Sequence, residues 1–193
     1  MLDNLKKYNL LLASKSPRRR ELLGMLDVPF GIAPAIEVDE VYPSTLPAHE
    51  IPEYLAKLKA SAYQKLIKDN ELIITADTVV ILGDRVLGKP ENAAGAKRML
   101  QELSGREHTV VTGVALSTAY GQRSFSVDSR VKFAEISETE AEYYVDRYNP
   151  LDKAGSYGIQ EWIGAVAVEA ISGSFYNVMG LPVHQLYKVL KEM

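Results

Sequence analysis

The sequence predicts an α/β fold in which a mixed, twisted sheet is flanked by helices. Three observations carry that prediction. Short apolar runs rich in β-branched residues alternate with stretches whose apolar residues recur at helical spacing. Turn residues at Gly83-Asp84 and around Tyr120-Gly121-Gln122 join neighbouring strand-like runs into hairpins, which argues against a purely parallel sheet. The chain has 193 residues, 47% of them hydrophobic. That is the size of one domain or of two closely joined lobes, and it can bury about 70% of its unfolded surface without a disulfide or structural metal.

The elements follow in order. Tyr8–Ala13 reads as a buried strand, short and mostly apolar. Ser16 is a natural N-cap and Pro17 suits the first helical position, so a helix runs from about Pro17 to Leu26. Phe30–Ala35 is a second strand. A loop punctuated by Pro43, Pro47 and Pro52 leads to a helix near Glu53–Lys68 with an apolar stripe of Leu55, Leu58, Ala62 and Leu66. Leu72–Thr75 and Val79–Leu82 are strand-like, and a tight turn at Gly83-Asp84 leads into Arg85–Leu87. Asn92 caps a helix over Ala93–Leu103. Glu107–Thr118 and Ser124–Ile136 read as long strands. Ser137 caps a helix to about Tyr148, Glu140 completes a capping box, and Asn149-Pro150 stops it. A glycine-rich turn, a strand near Ala165–Ile171 and a last helix from about Val183 complete the chain, read as a single domain over 1–193.

Composition narrows function. The chain has 22 Lys and Arg against 25 Asp and Glu, a formal net charge of −3, and no cysteine. There is no global basic field of the kind that nonspecific nucleic-acid binding needs. A disulfide framework, a thiolate zinc site and a cysteine nucleophile are excluded. No apolar run approaches the roughly 20 residues that span a bilayer. The N-terminus lacks a signal-peptide core, so a cytoplasmic location is expected.

Four local signals bear on chemistry. Ala13-Ser14-Lys15-Ser16-Pro17-Arg18-Arg19-Arg20 places hydroxyls, backbone N–H groups and cations where a strand enters a helix, an anion-binding arrangement. Arginines in a first turn oppose the helix dipole, a cost that a bound phosphate would offset; a capped helix with solvated arginines fits the same spacing. Asp77 interrupts the apolar run Ile73–Val80, where an isolated charge is expensive. It suits a metal ligand or a water-activating base, and equally a surface aspartate at a strand end. Glu37-Val38-Asp39-Glu40 offers carboxylates of the kind hard divalent cations take together with phosphate oxygens, though an acidic loop is commonly only solvated. Lys89 stands in Gly88-Lys89-Pro90, and Lys59 flanks the helical stripe where lysines snorkel. Gly155 and Gly158 bracket a turn that presents Gln160, an amide suited to a base edge or to a structural turn. His49, His108 and His184 have no metal-ligand spacing and are read as non-catalytic. No Gly-x-Ser-x-Gly elbow is present.

The stretches ASKSPRRRELL (13–23), VDE (38–40), ITADTVV (74–80), LGKP (87–90), LSGREHTVVTGV (103–114), DKAGSYGIQ (152–160) and NVMGLP (177–182) resemble, in order and across nearly the whole chain, the Maf family of nucleoside triphosphate pyrophosphatases. The resemblance implies two lobes around a cleft, similar to the inosine triphosphate pyrophosphatases. It also implies hydrolysis of a nucleoside triphosphate to monophosphate and diphosphate with Mg2+ or Mn2+, and a homodimer. Arg18, Thr78 and Gln160 match the branch acting on dTTP and UTP, in a role of nucleotide-pool sanitation. Carried over, Asp77 is the proton acceptor, with Lys59 and Lys89 as catalytic cations. Ser14, Arg18 and Arg19 hold phosphate, Thr78 and Gln160 choose the base, and Glu40 with Asp77 ligates the metal. The alternative is a non-catalytic nucleotide-binding regulator of cell division and septum formation. Neither reading calls for a nucleic acid or membrane partner.

Overall fold

A computed structural model describes residues 2–193. In chain order the strands are β1 (Asn9–Leu12), β2 (Gly31–Ile32), β3 (Glu71–Leu82), β4 (Arg85–Leu87), β5 (Glu107–Thr118), β6 (Gly121–Phe133) and β7 (Val168–Ser172). The helices are α1 (Pro17–Gly24), α2 (Ile51–Ser61), α3 (Ala93–Leu103), α4 (Glu138–Tyr148), α5 (Trp162–Ala167), α6 (Phe175–Met179) and α7 (Val183–Lys191). The strands form one sheet in the order β2-β1-β3-β5-β6-β7, with β4 paired to β3. It is mixed, as expected: β1 runs parallel to both β2 and β3, whereas β3–β4 and β6–β7 are antiparallel. Among the described residues no helix is long and apolar enough to cross a membrane.

The chain divides into two compact units. The first holds residues up to Asp77, Thr112–Val127 and Gly180–Met193. In it β1 and β3 pair in register from Asn9↔Glu71 to Leu12↔Ile74, and the backbone N–H of Ala13 donates to Ile74 at 2.8 Å. Leu22 and Leu23 bury the inner side of α1 completely. Helix α2 lies close on β5 because only small residues meet there: Ala56, Ala60 and Ala115 form a fully buried cluster. At Gly113 a Cβ would stand 2.2 Å from the Glu53 nitrogen and 2.3 Å from the Pro52 carbonyl carbon. Thr75 Oγ1 donates to the Ala56 carbonyl at 2.7 Å, tying the middle of α2 to β3.

The second unit holds Thr78–Val111 and Asp128–Met179. Asn92 caps α3 and Ser137 caps α4, the latter with the full reciprocal box through Glu140. Leu100, Leu103, Phe133, Tyr144 and Ile163 are fully buried. His108, Phe133 and Tyr157 meet edge-on, with ring centroids 4.9 to 5.4 Å apart. His108 Nε2 lies 2.7 Å from the Tyr157 hydroxyl, while its buried Nδ1 has no hydrogen-bond partner among the described residues. A second ring proton would therefore point at nothing, and burial holds the His108 pKa down at about 4.

Several boundaries differ from the sequence reading. The two runs around Asp77 are one twelve-residue strand, so Asp77 sits inside β3 rather than at a strand end. Helix α2 starts at Ile51 and stops at Ser61; turns follow, and Leu66 is 64% exposed instead of completing the buried stripe. The early part of the segment read as a strand near Ala165–Ile171 is helix α5, and strand begins only at Val168.

Two outcomes follow. Gly113→Ala forces its methyl into the α2 backbone and lowers stability by about 3 kcal/mol. Gly121→Ala, where nothing lies within 4 Å of the added carbon, stays within about 0.5 kcal/mol of the parent. Urea unfolding of both variants checks the contrast. For His108, the unfolded chain accepts a proton near pH 6.5 that the folded chain refuses until about 4. Stability is therefore lost as pH falls from 6.5 to about 4. Unfolding midpoints of His108→Gln across that window should fall less steeply than those of the parent.

Candidate active site

In the first unit the site grows from the match between a strand and a helix. Alternate residues of a strand share a face, and helical residues three apart sit one above the other. Thr75 and Asp77 therefore face Ala56 and Lys59. Thr75 makes its bond to Ala56, and Lys59 Nζ donates to Asp77 Oδ1 at 2.5 Å. The same ammonium lies 3.0 Å from Glu40 Oε2. The Lys59 and Asp77 side chains are only 19% and 13% exposed, against 49% for Glu40. Of the Glu37–Glu40 run, Glu40 is thus the carboxylate that reaches the same cation as Asp77.

Helix α1 reaches β3 through Arg19. Ser14 Oγ accepts from the Ser16 N–H at 3.2 Å, and Ser16 caps α1 by accepting from the Arg19 N–H. Arg19 turns back over the strand: its Nη1 donates to the Ala76 carbonyl and its Nε to the Gly180 carbonyl, both at 2.8 Å. Burial depresses the Arg19 pKa most, Asp77 and Glu40 raise it, and the neighbouring Arg18 lowers it. That balance places two cations and two carboxylates within electrostatic reach of each other.

Two carboxylates drawn to one ammonium, Asp77 and Glu40, have the donor chemistry that a hard divalent ion takes. Mg2+ and Mn2+ commonly take one or two carboxylates and complete their shell with water and phosphate oxygens. Among the described residues no group of three or more His, Asp or Glu gathers as a metal site. Glu40 and Asp77 therefore fit the group that the family resemblance implies.

In the second unit the backbone N–H of Gly155 donates to Gly88 at 3.1 Å, bringing Gly88-Lys89-Pro90 beside the Asp152–Gln160 turn. Lys89 is exposed and Thr78 half-buried. The turn is buried from Gly155 to Ile159, and only at Gln160 does it become exposed. Sequence reasoning missed what holds it. Lys153 Nζ lies 2.8 Å from Asp152 Oδ1 and 3.2 Å from Glu161 Oε1, and Tyr144 donates to Glu161 Oε2. Lys153 sat inside a recognised motif; Tyr144 and Glu161 carried no signal, because their pairing depends on how α4 returns to the turn. The structure thus gathers Ser14, Arg18, Arg19, Glu40, Lys59 and Asp77 within one unit, and Thr78, Lys89 and Gln160 within the other.

The family described as Maf-like protein matches residues 9–193. A dTTP/UTP pyrophosphatase of Bacteroides thetaiotaomicron is 53% identical over 193 residues, covering 100% of both chains. Its counterpart in Porphyromonas gingivalis strain W83 is 54% identical, covering 100% of this chain and 98% of the relative. Among solved structures, a HAM1 protein from Coxiella burnetii aligns with 16% identity and a TM-score of 0.49 over 96% of this chain and 100% of that one.

Proposed function

The chain belongs to the Maf family, and from that premise we propose that it is a nucleoside triphosphate pyrophosphatase acting on dTTP and UTP as one domain over 1–193. Water and the triphosphate give the nucleoside monophosphate, diphosphate and a proton. The observation that carries this reading is the Lys59 ammonium shared by Asp77 and Glu40 beside Arg19.

The α-phosphorus is attacked by water, and the bond to the β-bridging oxygen breaks. Asp77 orients the water and takes its proton on Oδ2, since Lys59 occupies Oδ1. The low exposure of Asp77 and Lys59 keeps competing water away and strengthens their interaction with developing charge. Arg18 and Arg19, with Ser14 at the start of α1, hold phosphate oxygens; Lys59 and Lys89 neutralise charge on the departing diphosphate. Glu40 and Asp77 would hold Mg2+ or Mn2+, which when bound polarises phosphate oxygens as a Lewis acid. Thr78 and Gln160 contact the pyrimidine edge. A site that hydrogen-bonds one base disfavours another that leaves those groups unpaired. The role is nucleotide-pool sanitation in the cytoplasm, and the protein works as a homodimer.

Diphosphate release from dTTP with Mg2+ tests the proposal. Asp77→Asn keeps a side chain of the same shape in β3, so the variant folds while turnover falls at least about 100-fold; near-parental turnover would remove Asp77 from the role. Gln160→Ala should lower the preference for dTTP over dGTP about tenfold, read as the ratio of kcat/KM for the two substrates.

A further inference from the structure

We infer that Tyr144 and Glu161 are positioning residues for base selection, acting through the turn that carries Gln160; the inference rests on the proposed role of Gln160. Gln160 is the exposed end of a run buried from Gly155 to Ile159. An exposed amide on a turn of glycines has no stiffness of its own, so what fixes it must come from outside the turn. The Tyr144 hydroxyl supplies the link. It accepts from the Gly158 N–H at 2.9 Å and donates to the Glu161 carboxylate, so one oxygen of a fully buried side chain ties the backbone before Gln160 to the side chain of the residue after it.

Glu161 closes the clamp. It stands at the N-cap of α5, and its side chain makes no capping bond to that helix. Its oxygens instead go to Tyr144 and to Lys153, whose side chain is 8% exposed. Gly158 permits the arrangement: a Cβ there would lie 2.8 Å from the Glu161 carboxyl carbon and 3.1 Å from Gln160 Nε2. The clamp and the base-reading amide therefore press on the same point of backbone. Tyr144 itself is held by α4 and stacks on Tyr148 at 5.1 Å. The network locates the Gln160 amide and takes no part in the chemistry.

The test compares kcat and KM for dTTP and dGTP in Tyr144→Phe, Glu161→Gln and Gln160→Ala, with thermal unfolding of each. Tyr144→Phe should raise KM for dTTP and lower the dTTP-to-dGTP ratio of kcat/KM roughly tenfold, with kcat for dTTP within about twofold of the parent. Glu161→Gln, which keeps an acceptor for Tyr144 but loses the charge facing Lys153, should shift the ratio in the same direction by less. It serves as the readout should Tyr144→Phe not fold. A role confined to stability lowers the unfolding temperature and leaves the ratio where it was, and that result overturns the inference. If Gln160→Ala moves the ratio while Tyr144→Phe and Glu161→Gln do not, the positioning role fails and the base-reading role of Gln160 stands. If Gln160→Ala itself leaves the ratio unchanged, both fall.

Discussion

The first unit is organised around one ammonium. Lys59 Nζ stands 2.5 Å from Asp77 and 3.0 Å from Glu40, so one cation offsets the mutual repulsion of two carboxylates, one of them largely buried. Removing charges of this kind from water costs several kcal/mol each, and their mutual attraction returns that only when the geometry is good. Such a cluster therefore adds little to net stability. In the proposed mechanism its value lies in holding a carboxylate inside a strand at a defined orientation, as proton abstraction beside a phosphate requires. In the proposed site a triphosphate would compete with Asp77 and Glu40 for the same cation, so substrate and carboxylates would share one electrostatic balance.

That ammonium can be in place only because α2 comes unusually near the sheet. Gly113 admits the first turn of the helix, and Ala56, Ala60 and Ala115 keep the approach close along its length. Larger side chains would lift the helix and carry Lys59 away from β3. Thr75 then fixes the rotation, since its hydroxyl reaches the Ala56 carbonyl two residues before Asp77 in the strand. The geometry of the Lys59 cluster depends on what is missing from the side chains as much as on what they carry.

The same features explain what the sequence could and could not reveal. Signals confined to a few neighbouring residues were readable: the caps at Ser16, Asn92 and Ser137, and the tight turn ahead of β4, follow from backbone chemistry within one turn of chain. Asp77 split β3 in the reading because a charge breaks an apolar pattern, while backbone pairing proceeds regardless, with β1 on one stretch and β4 on the other. The stripe through Leu58 and Leu66 misled because α2 ends at Ser61: the helix buries Ile51, Leu55, Ala56 and Ala60, while Leu66 falls in the turns beyond it. The motif residues were legible as a set, since each stands in a recognisable local string. Their partners were not: Lys59 with Glu40, or Tyr144 with Glu161, are joined only once distant segments have folded together.

Arg19 illustrates how a local conflict is resolved at longer range. A guanidinium in the first turn of α1 opposes the helix dipole, and the sequence suggested that a phosphate would compensate. In the folded chain the first compensation is internal. The carbonyls of Ala76 and Gly180 each accept from the guanidinium, and the charges of Asp77 and Glu40 favour its ionised form against burial. An arginine does not surrender its proton at physiological pH, so its charge persists whether or not an anion is present. The three segments it ties, α1, the middle of β3 and the backbone at Gly180, are therefore joined without any ligand. In the proposed site a phosphate entering at the start of α1 would meet a cation already oriented, the cost of ordering that side chain having been met in folding rather than in binding.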